Sequence, residues 1–325
     1  MEMNTPVLYP MQLSPVCRST IWGGNRMRDC FGFQTKLENI AEAWMLSARD
    51  DNPGFILGGE YMGERIDKLL GQYPGMLAWG NENPVCPLLI KFIDAKDKLS
   101  IQVHPDDAYA QAAGCRDPRG KTEMWVVLEA SMGAELIYGT NHEFTEEELR
   151  AAIAGGTLES QLQFVPVKAG DVFYIPAGLI HAIGGGILLA EIQQNCDTTY
   201  RVYDYNRRQA DGSLRQLHVE DAVKCAKHFT DSEIKALQYE KGDTDALADS
   251  AYFHVEMQCV REEKAFSVGD DSFVSLLVTG GEGTLVHDGV EYMLTAGTSW
   301  FLPAGMGTYT VRGTSGAVRM ILSRI

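Results

Sequence analysis

The stretch Ala169-Gly170-Asp171-Val172-Phe173-Tyr174-Ile175-Pro176-Ala177-Gly178-Leu179 returns 127 residues later as Ala296-Gly297-Thr298-Ser299-Trp300-Phe301-Leu302-Pro303-Ala304-Gly305-Met306. Ala-Gly and Pro-Ala-Gly are identical, and the aromatic and aliphatic positions between them match in kind. A turn, a short strand and a Pro-Gly turn read as one hairpin unit seen twice. The economical interpretation is two similar β domains, residues 1–238 and 239–325, joined at the polar stretch Tyr239–Ser250.

The rest of the chain agrees with a mainly β fold. Runs of four to eight apolar or alternating residues, punctuated by Gly and Pro, recur at Pro87–Ile93, Leu99–His104, Glu123–Leu128, Ile187–Ile192 and Phe273–Val278. Many short strands at close spacing predict an antiparallel barrel or sandwich. Helical spacing is confined to Gly63–Gln72, Thr145–Ala154 and His218–His228. The second of these opens Thr-Glu-Glu-Glu, an N-cap with an acidic first turn, and stops at Gly155-Gly156. It places a helical insertion at 144–163 inside the first domain.

The 325 residues carry a formal charge of −16, and 45% are hydrophobic. That is ordinary globular composition and no surface for nucleic acid, which needs a basic patch. There is no run of about 18 apolar residues to cross a membrane, and Met1–Pro10 has no secretory pattern. Seven scattered cysteines without a C-x-x-C pair read as reduced thiols of a cytoplasmic protein.

Leu99-Ser100-Ile101-Gln102-Val103-His104 alternates strictly. In a strand, Leu99, Ile101 and Val103 face one way, and Ser100, Gln102 and His104 the other. An amide oxygen and an imidazole about 7 Å apart along the strand suit two ligands of one metal, whereas the plainer alternative is a solvated polar face. Lys121 and Glu123 share a face of the next strand, either as a surface ion pair or as part of a site. His181 follows the Pro176-Ala177-Gly178 turn, a common place for a structural histidine. Together Gln102, His104, Glu123 and His181 offer a mixed N/O set suited to Zn²⁺, and the lack of thiolates favours a catalytic site over a purely structural one. Further on, Glu191 alternates out of an apolar strand. Arg201, Arg207 and Arg208 concentrate positive charge in an acidic chain, as phosphate holders or as plain solvated side chains.

The strings Pro87-Leu88-Leu89-Ile90-Lys91-Phe92, Leu99–Asp107, Lys121–Trp125 and Gln193–Tyr205 closely resemble type I mannose-6-phosphate isomerases, in particular the short bacterial form. Ile21-Trp22-Gly23-Gly24 and Ala41-Glu42-Ala43-Trp44 resemble that family's opening. Cys196 departs from the serine expected in its loop, and Asn206 from the family's continuation. The resemblance implies two cupin-type jelly-roll β-barrels and a zinc enzyme interconverting mannose 6-phosphate and fructose 6-phosphate. It implies Gln102, His104, Glu123 and His181 as zinc ligands. Lys121, Glu191, Asp197 and Arg201 would be the other active-site residues, with Ser100, Lys91 and Arg207 near the phosphate.

Isomerisation needs a carboxylate to take a carbon-bound proton and a stabilised oxyanion. With Glu123 a ligand, Glu191 is the first choice of base and Asp197 the second, while Lys121 moves protons among the sugar oxygens. Two other classes remain open: a cupin oxygenase using His104, His181 and Glu123 on iron, and a non-catalytic sugar-binding or regulatory metal cupin. At the offset of 127, His181 corresponds to Thr308, and Phe273–Val286 holds no Gln-x-His. The second domain is therefore expected to be metal-free, with one metal per chain.

Overall fold

The computed structural model describes residues 5–78, 80–209, 211–230, 232–234, 238–239 and 245–325. Their strands form four antiparallel sheets. A seven-stranded sheet runs Gln238–Tyr239, Val172–Ile175, Glu123–Ala130, Ile187–Gln194, Leu88–Ala95, Glu42–Leu46, Val16–Arg18. A five-stranded sheet runs Tyr200–Tyr203, Ile101–Val103, His181–Ile183, Glu135–Thr140, Leu162–Pro166. A six-stranded sheet runs Met11–Leu13, Ser299–Leu302, Val274–Gly280, Val318–Arg324, His254–Val260, Ala246–Asp249. The four-stranded sheet is Glu263–Val268, Gly307–Gly313, Glu282–His287, Val290–Thr295.

Side-chain alternation stacks these sheets in the order five, seven, six, four. Trp125, Val127 and Leu189 of the seven-stranded sheet meet Leu136, Tyr138 and Ile183 of the five-stranded one. Met124, Val126 and Phe92 leave the opposite face and meet Leu277, Phe301 and Ile321 of the six-stranded sheet. Leu276, Val278 and Trp300 then turn away to meet Leu285, Tyr309 and Val311. A sheet covered on both faces has no solvent side, which is why Leu88–Ala95 and Ile187–Gln194 are buried along their whole length.

The ladders correct three expectations. None of the four sheets closes on itself, so the expected barrels are pairs of facing sheets. The repeated Pro-Ala-Gly turn does not close a hairpin. Val172–Ile175 and His181–Ile183 belong to different sheets, as do Ser299–Leu302 and Gly307–Gly313. Proline and a glycine at φ 92° (Gly178) or 77° (Gly305) turn a corner from one sheet to the sheet facing it. Within the expected linker Tyr239–Ser250, residues 240–244 lie outside the described residues, and Ala246–Asp249 is an edge strand paired with His254–Val260.

All three expected helices form, as Ile66–Gln72, Glu146–Gly155 and Val219–Cys225. Thr145 and Glu148 make a reciprocal capping box on the second, and Gly156 ends it at φ 69°. This helix and Val219–Cys225 cover the outer face of the five-stranded sheet, packing Leu149, Ala222 and Val223 on Ile101 and Val103. Asp106 follows the Ile101–Val103 strand by three residues. Its carboxylate accepts from the Tyr109 N–H at 2.8 Å and caps a short helix, Asp107–Ala112, absent from the sequence reading.

Candidate active site

Lys91, Glu123 and Glu191 stand two residues from Ile93, Trp125 and Leu189 and share their strand face, so they enter the space between the seven- and five-stranded sheets. Register places Glu191 opposite Lys91 on one side and Trp125 on the other, with Glu123 opposite Gln193. From the facing sheet, His181 lies opposite Gln102, and Gln102 opposite Arg201. Ile101 and Val103 point outward to the helices, so the polar side of this strand is the inward one. Leu99 departs from the expected alternation. It precedes the paired strand and packs in the inner core.

His104, Glu123 and His181 are buried and offer ligand atoms that all lie within 4.8 Å of one another. His104 Nδ1 donates to the Thr198 carbonyl at 3.0 Å, and His181 Nδ1 to the Leu179 carbonyl at 2.8 Å. That tautomer leaves both Nε2 lone pairs facing inward. They stand 3.6 and 3.5 Å from the Glu123 oxygens. Glu123 Oε1 is buried without a hydrogen bond, and Oε2 meets the Lys121 ammonium at 3.0 Å. The Lys121 ammonium meets His104 Nε2 at 3.2 Å on one side of this cluster, while His181 Nε2 and Glu123 Oε1 face each other with no hydrogen between them; two imidazole nitrogens and a carboxylate so placed are a donor set that fits a divalent ion such as zinc. Gln102 stands with its amide nitrogen 3.3 Å from His181 Nε2, and a half-turn of the amide presents its oxygen there instead.

The electrostatics divide these groups by role. Burial pushes the His104 and His181 imidazoles down, His181 to about 4, and neighbouring Lys121 adds to this, so both are neutral. Burial raises Glu123 to about 7, with Glu191 adding to the rise and Lys121 opposing it. For Lys121, burial acts downward, but Glu123, 3.0 Å away, and Glu191 outweigh it and hold the ammonium protonated. Burial likewise acts against charge on Glu191, yet Lys91 at 3.0 Å and Lys121 keep its carboxylate ionised.

Above this floor opens a cleft of about 320 Å³. Ser100, Lys91, Gln102, Lys121, Glu191, Asp197 and Arg201 all line it. Asp197 is at its exposed edge, 3.6 Å from Arg18. Arg201 gives one nitrogen to the Gln216 carbonyl at 2.7 Å and keeps a buried Nε with no partner. Arg207 is outside the lining. It donates to the Lys98 carbonyl and Asp204 and lies over the Tyr205 ring.

Among the lining residues not singled out in the sequence are Arg18, Trp22, Glu42 and Arg215. Trp22 and Glu42 fall in the two opening strings, but nothing there marks them as site residues. Arg18 and Arg215 are isolated arginines without a local pattern. The fold recruits them, Arg18 over the ring of buried Trp44 and Arg215 through Asp204, at 2.7 Å from Nε.

The family described as phosphomannose isomerase type I, catalytic domain, matches residues 11–149, and mannose-6-phosphate isomerase, cupin domain, matches 243–324. Mannose-6-phosphate isomerase of Streptococcus mutans is 38% identical over 90% of this chain and 92% of its own. Mannose-6-phosphate isomerase ManA of Bacillus subtilis is 34% identical over 94% and 96%. The crystal structure of a Bacillus subtilis mannose 6-phosphate isomerase superposes with a TM-score of 0.85 at 34% identity, covering 97% of this chain and 99% of that one. A zinc-bound mannose 6-phosphate isomerase shares the fold at a TM-score of 0.76 and 17% identity, over 96% and 98%. With relatives this similar along nearly their full length, the chain belongs to the type I mannose-6-phosphate isomerase family.

Proposed function

We propose that this enzyme interconverts mannose 6-phosphate and fructose 6-phosphate with one zinc ion per chain, in a catalytic unit spanning 1–238, less the strand Met11–Leu13 that it lends to a second unit spanning 239–325. The observation that carries this reading is the buried His104–Glu123–His181 donor set under a cleft lined by Lys121, Glu191 and Arg201. Those three donors, with Gln102 after its amide turns, would hold the zinc. When bound, zinc supplies positive charge to polarise a sugar carbonyl and offset the charge developing on oxygen.

The chain's own groups divide the remaining work. Arg201 anchors the phosphate through its unpartnered Nε, and binding energy at that end fixes the reacting carbons. Ser100 and Lys91 line the cleft and support that placement. Glu191, ionised and held by Trp125, takes the proton from one carbon and returns it to the next. Asp197 is the second choice. Lys121 donates to the sugar oxygens and stabilises negative charge there.

Among the described residues no helix is long and apolar enough to cross a membrane. All seven cysteines are free, which supports a place in the reducing cytoplasm. The test is turnover of mannose 6-phosphate by purified protein. Conversion that chelation abolishes and Zn²⁺ restores supports the reading. Full turnover in rigorously metal-free protein overturns the metal role, and no turnover with zinc present overturns the activity.

A further inference from the structure

Arg215 lines the cleft together with Arg201 and Ser100 but has no part in the chemistry at the metal or at Glu191. The chain leaves the Tyr200–Tyr203 strand through Tyr205 and Asn206, both in the left-handed region at φ 54° and 53°, and comes back at Leu214, bridged to Arg208. The return is pinned on Arg201 from two sides. Arg201 Nη1 donates to the Gln216 carbonyl at 2.7 Å, and the Arg201 carbonyl accepts from the His218 N–H at 2.8 Å. Arg215, one residue before Gln216, is thereby carried to the same end of the cleft. Asp204, three residues beyond Arg201, is buried there and accepts from Arg215 Nε at 2.7 Å and from Arg215 Nη2.

One carboxylate cannot neutralise the guanidiniums gathered here. Asp204 also holds Arg207, which has a second carboxylate in Asp97 at 3.8 Å. Arg201 forms no ion pair among the described residues, and its buried Nε has no partner. Arg215 Nη1 likewise makes no hydrogen bond among the described residues. Burial holds Arg201 below the usual guanidinium range, and the charge of Arg215 adds to that. The surplus positive charge therefore faces the cleft, and an anion between the two side chains relieves their repulsion.

Resting on the mannose 6-phosphate reading, we propose that Arg215 is a second phosphate-holding residue and sets the preference for a phosphorylated sugar, the phosphate lying between the guanidiniums of Arg201 and Arg215. A phosphate monoester carries about −1.5 to −2 charge near pH 7, more than one guanidinium balances. Each planar fork matches phosphate oxygens, and a fork already fixed on a buried carboxylate loses less freedom when substrate binds. Arg207 shares Asp204 but lies outside the cleft lining, which makes it the control.

The experiment is steady-state kinetics of the zinc-loaded full chain on mannose 6-phosphate, with inorganic phosphate as competitive inhibitor. Arg215→Ala is expected to lower kcat/KM roughly ten-fold or more, chiefly through KM, and to weaken inhibition by phosphate by a similar factor. Arg215→Lys keeps an ammonium for Asp204 but loses the fork, so it recovers part of both and carries the comparison should the alanine variant unfold. Arg207→Ala removes the other partner of the same carboxylate and is expected to leave KM and phosphate inhibition nearly unchanged. Two results overturn the proposal while the activity stands: KM and phosphate inhibition unmoved in the Arg215 variants, or an equal change in Arg207→Ala, which routes the effect through Asp204 and the fold. Unaltered protein that does not turn over mannose 6-phosphate overturns the activity itself, and the proposal with it.

Discussion

The indole nitrogen of Trp125 donates to Glu191 Oε2 at 3.1 Å, while the ring of the same residue meets His181 edge-on, 5.4 Å between centroids. One buried side chain therefore touches both the proposed base and a proposed metal ligand. By holding Oε2 it leaves Oε1 toward Lys91 and the cleft. Trp125→Phe keeps the ring against His181 and removes only the N–H. A hydrogen bond to a charged group contributes roughly 1.5–3 kcal/mol, so kcat should fall about 10- to 150-fold with KM and zinc content little changed. Steady-state kinetics beside elemental analysis checks this, and a parallel loss of zinc would make Trp125 a support of the metal rather than of the base.

Metal removal has its own signature. Chelated protein should lose turnover and regain it with Zn²⁺. His104→Ala, which deletes an imidazole oriented by the Thr198 carbonyl, should lower metal content and activity together. Elemental analysis should find one zinc per chain. Two tightly held ions would place a metal in the second pair of sheets.

The arginines should separate by geometry. Arg201→Ala should cost roughly 10- to 150-fold in kcat/KM for mannose 6-phosphate, Arg201→Lys should recover part of it, and poor turnover of mannose should barely change. Arg207 is turned onto Lys98 and Tyr205, so Arg207→Ala should lower thermal stability more than kcat/KM. Equal losses on both sugars would move Arg201 from the phosphate to the chemical step.

Asp204 sets a pH limit on the fold. Burial acts to raise its pKa, but Arg215 and Arg207 more than offset this and hold it below the usual carboxylate range. A carboxylate depressed in the folded state contributes stability that is fully present above the unfolded pKa, about 3.9. It is lost as pH falls from there through the lower folded value. Asp204→Asn should therefore destabilise the protein at pH 7 by roughly 1–3 kcal/mol. Denaturant titrations should show the gap closing as pH drops below about 4. A gap independent of pH would assign the loss to packing.

The legible parts of this molecule were those written in local pattern. The alternation of Ser100, Gln102 and His104, the Thr145–Glu148 cap and the Val172–Ile175 strand all depend on neighbours a few residues away. The corner at Pro176-Ala177-Gly178 was read as a hairpin because a tight turn looks the same whether the chain returns to its own sheet or crosses to the next. Only long-range pairing distinguishes them. The same limit hid Arg18 and Arg215, whose places depend on Trp44 and Asp204. Arg207, adjacent in sequence to the site strings, was drawn the other way by Lys98 and Tyr205, a contact no spacing rule records.

The strand Met11–Leu13 completes one edge of the six-stranded sheet by pairing with Ser299–Leu302. Most of the chain is threaded between these two partners, so during synthesis Met11–Leu13 waits for a strand made much later. Until then, Ser299–Leu302 has not been made, and Met11 and Leu13 have no sheet to join. Maturation of the molecule is thus a ring closure, and a nick or truncation near the start strips an edge from the unit at the far end. The two halves cannot be cut apart at 238 and both be whole: a fragment carrying the second must bring its borrowed strand with it.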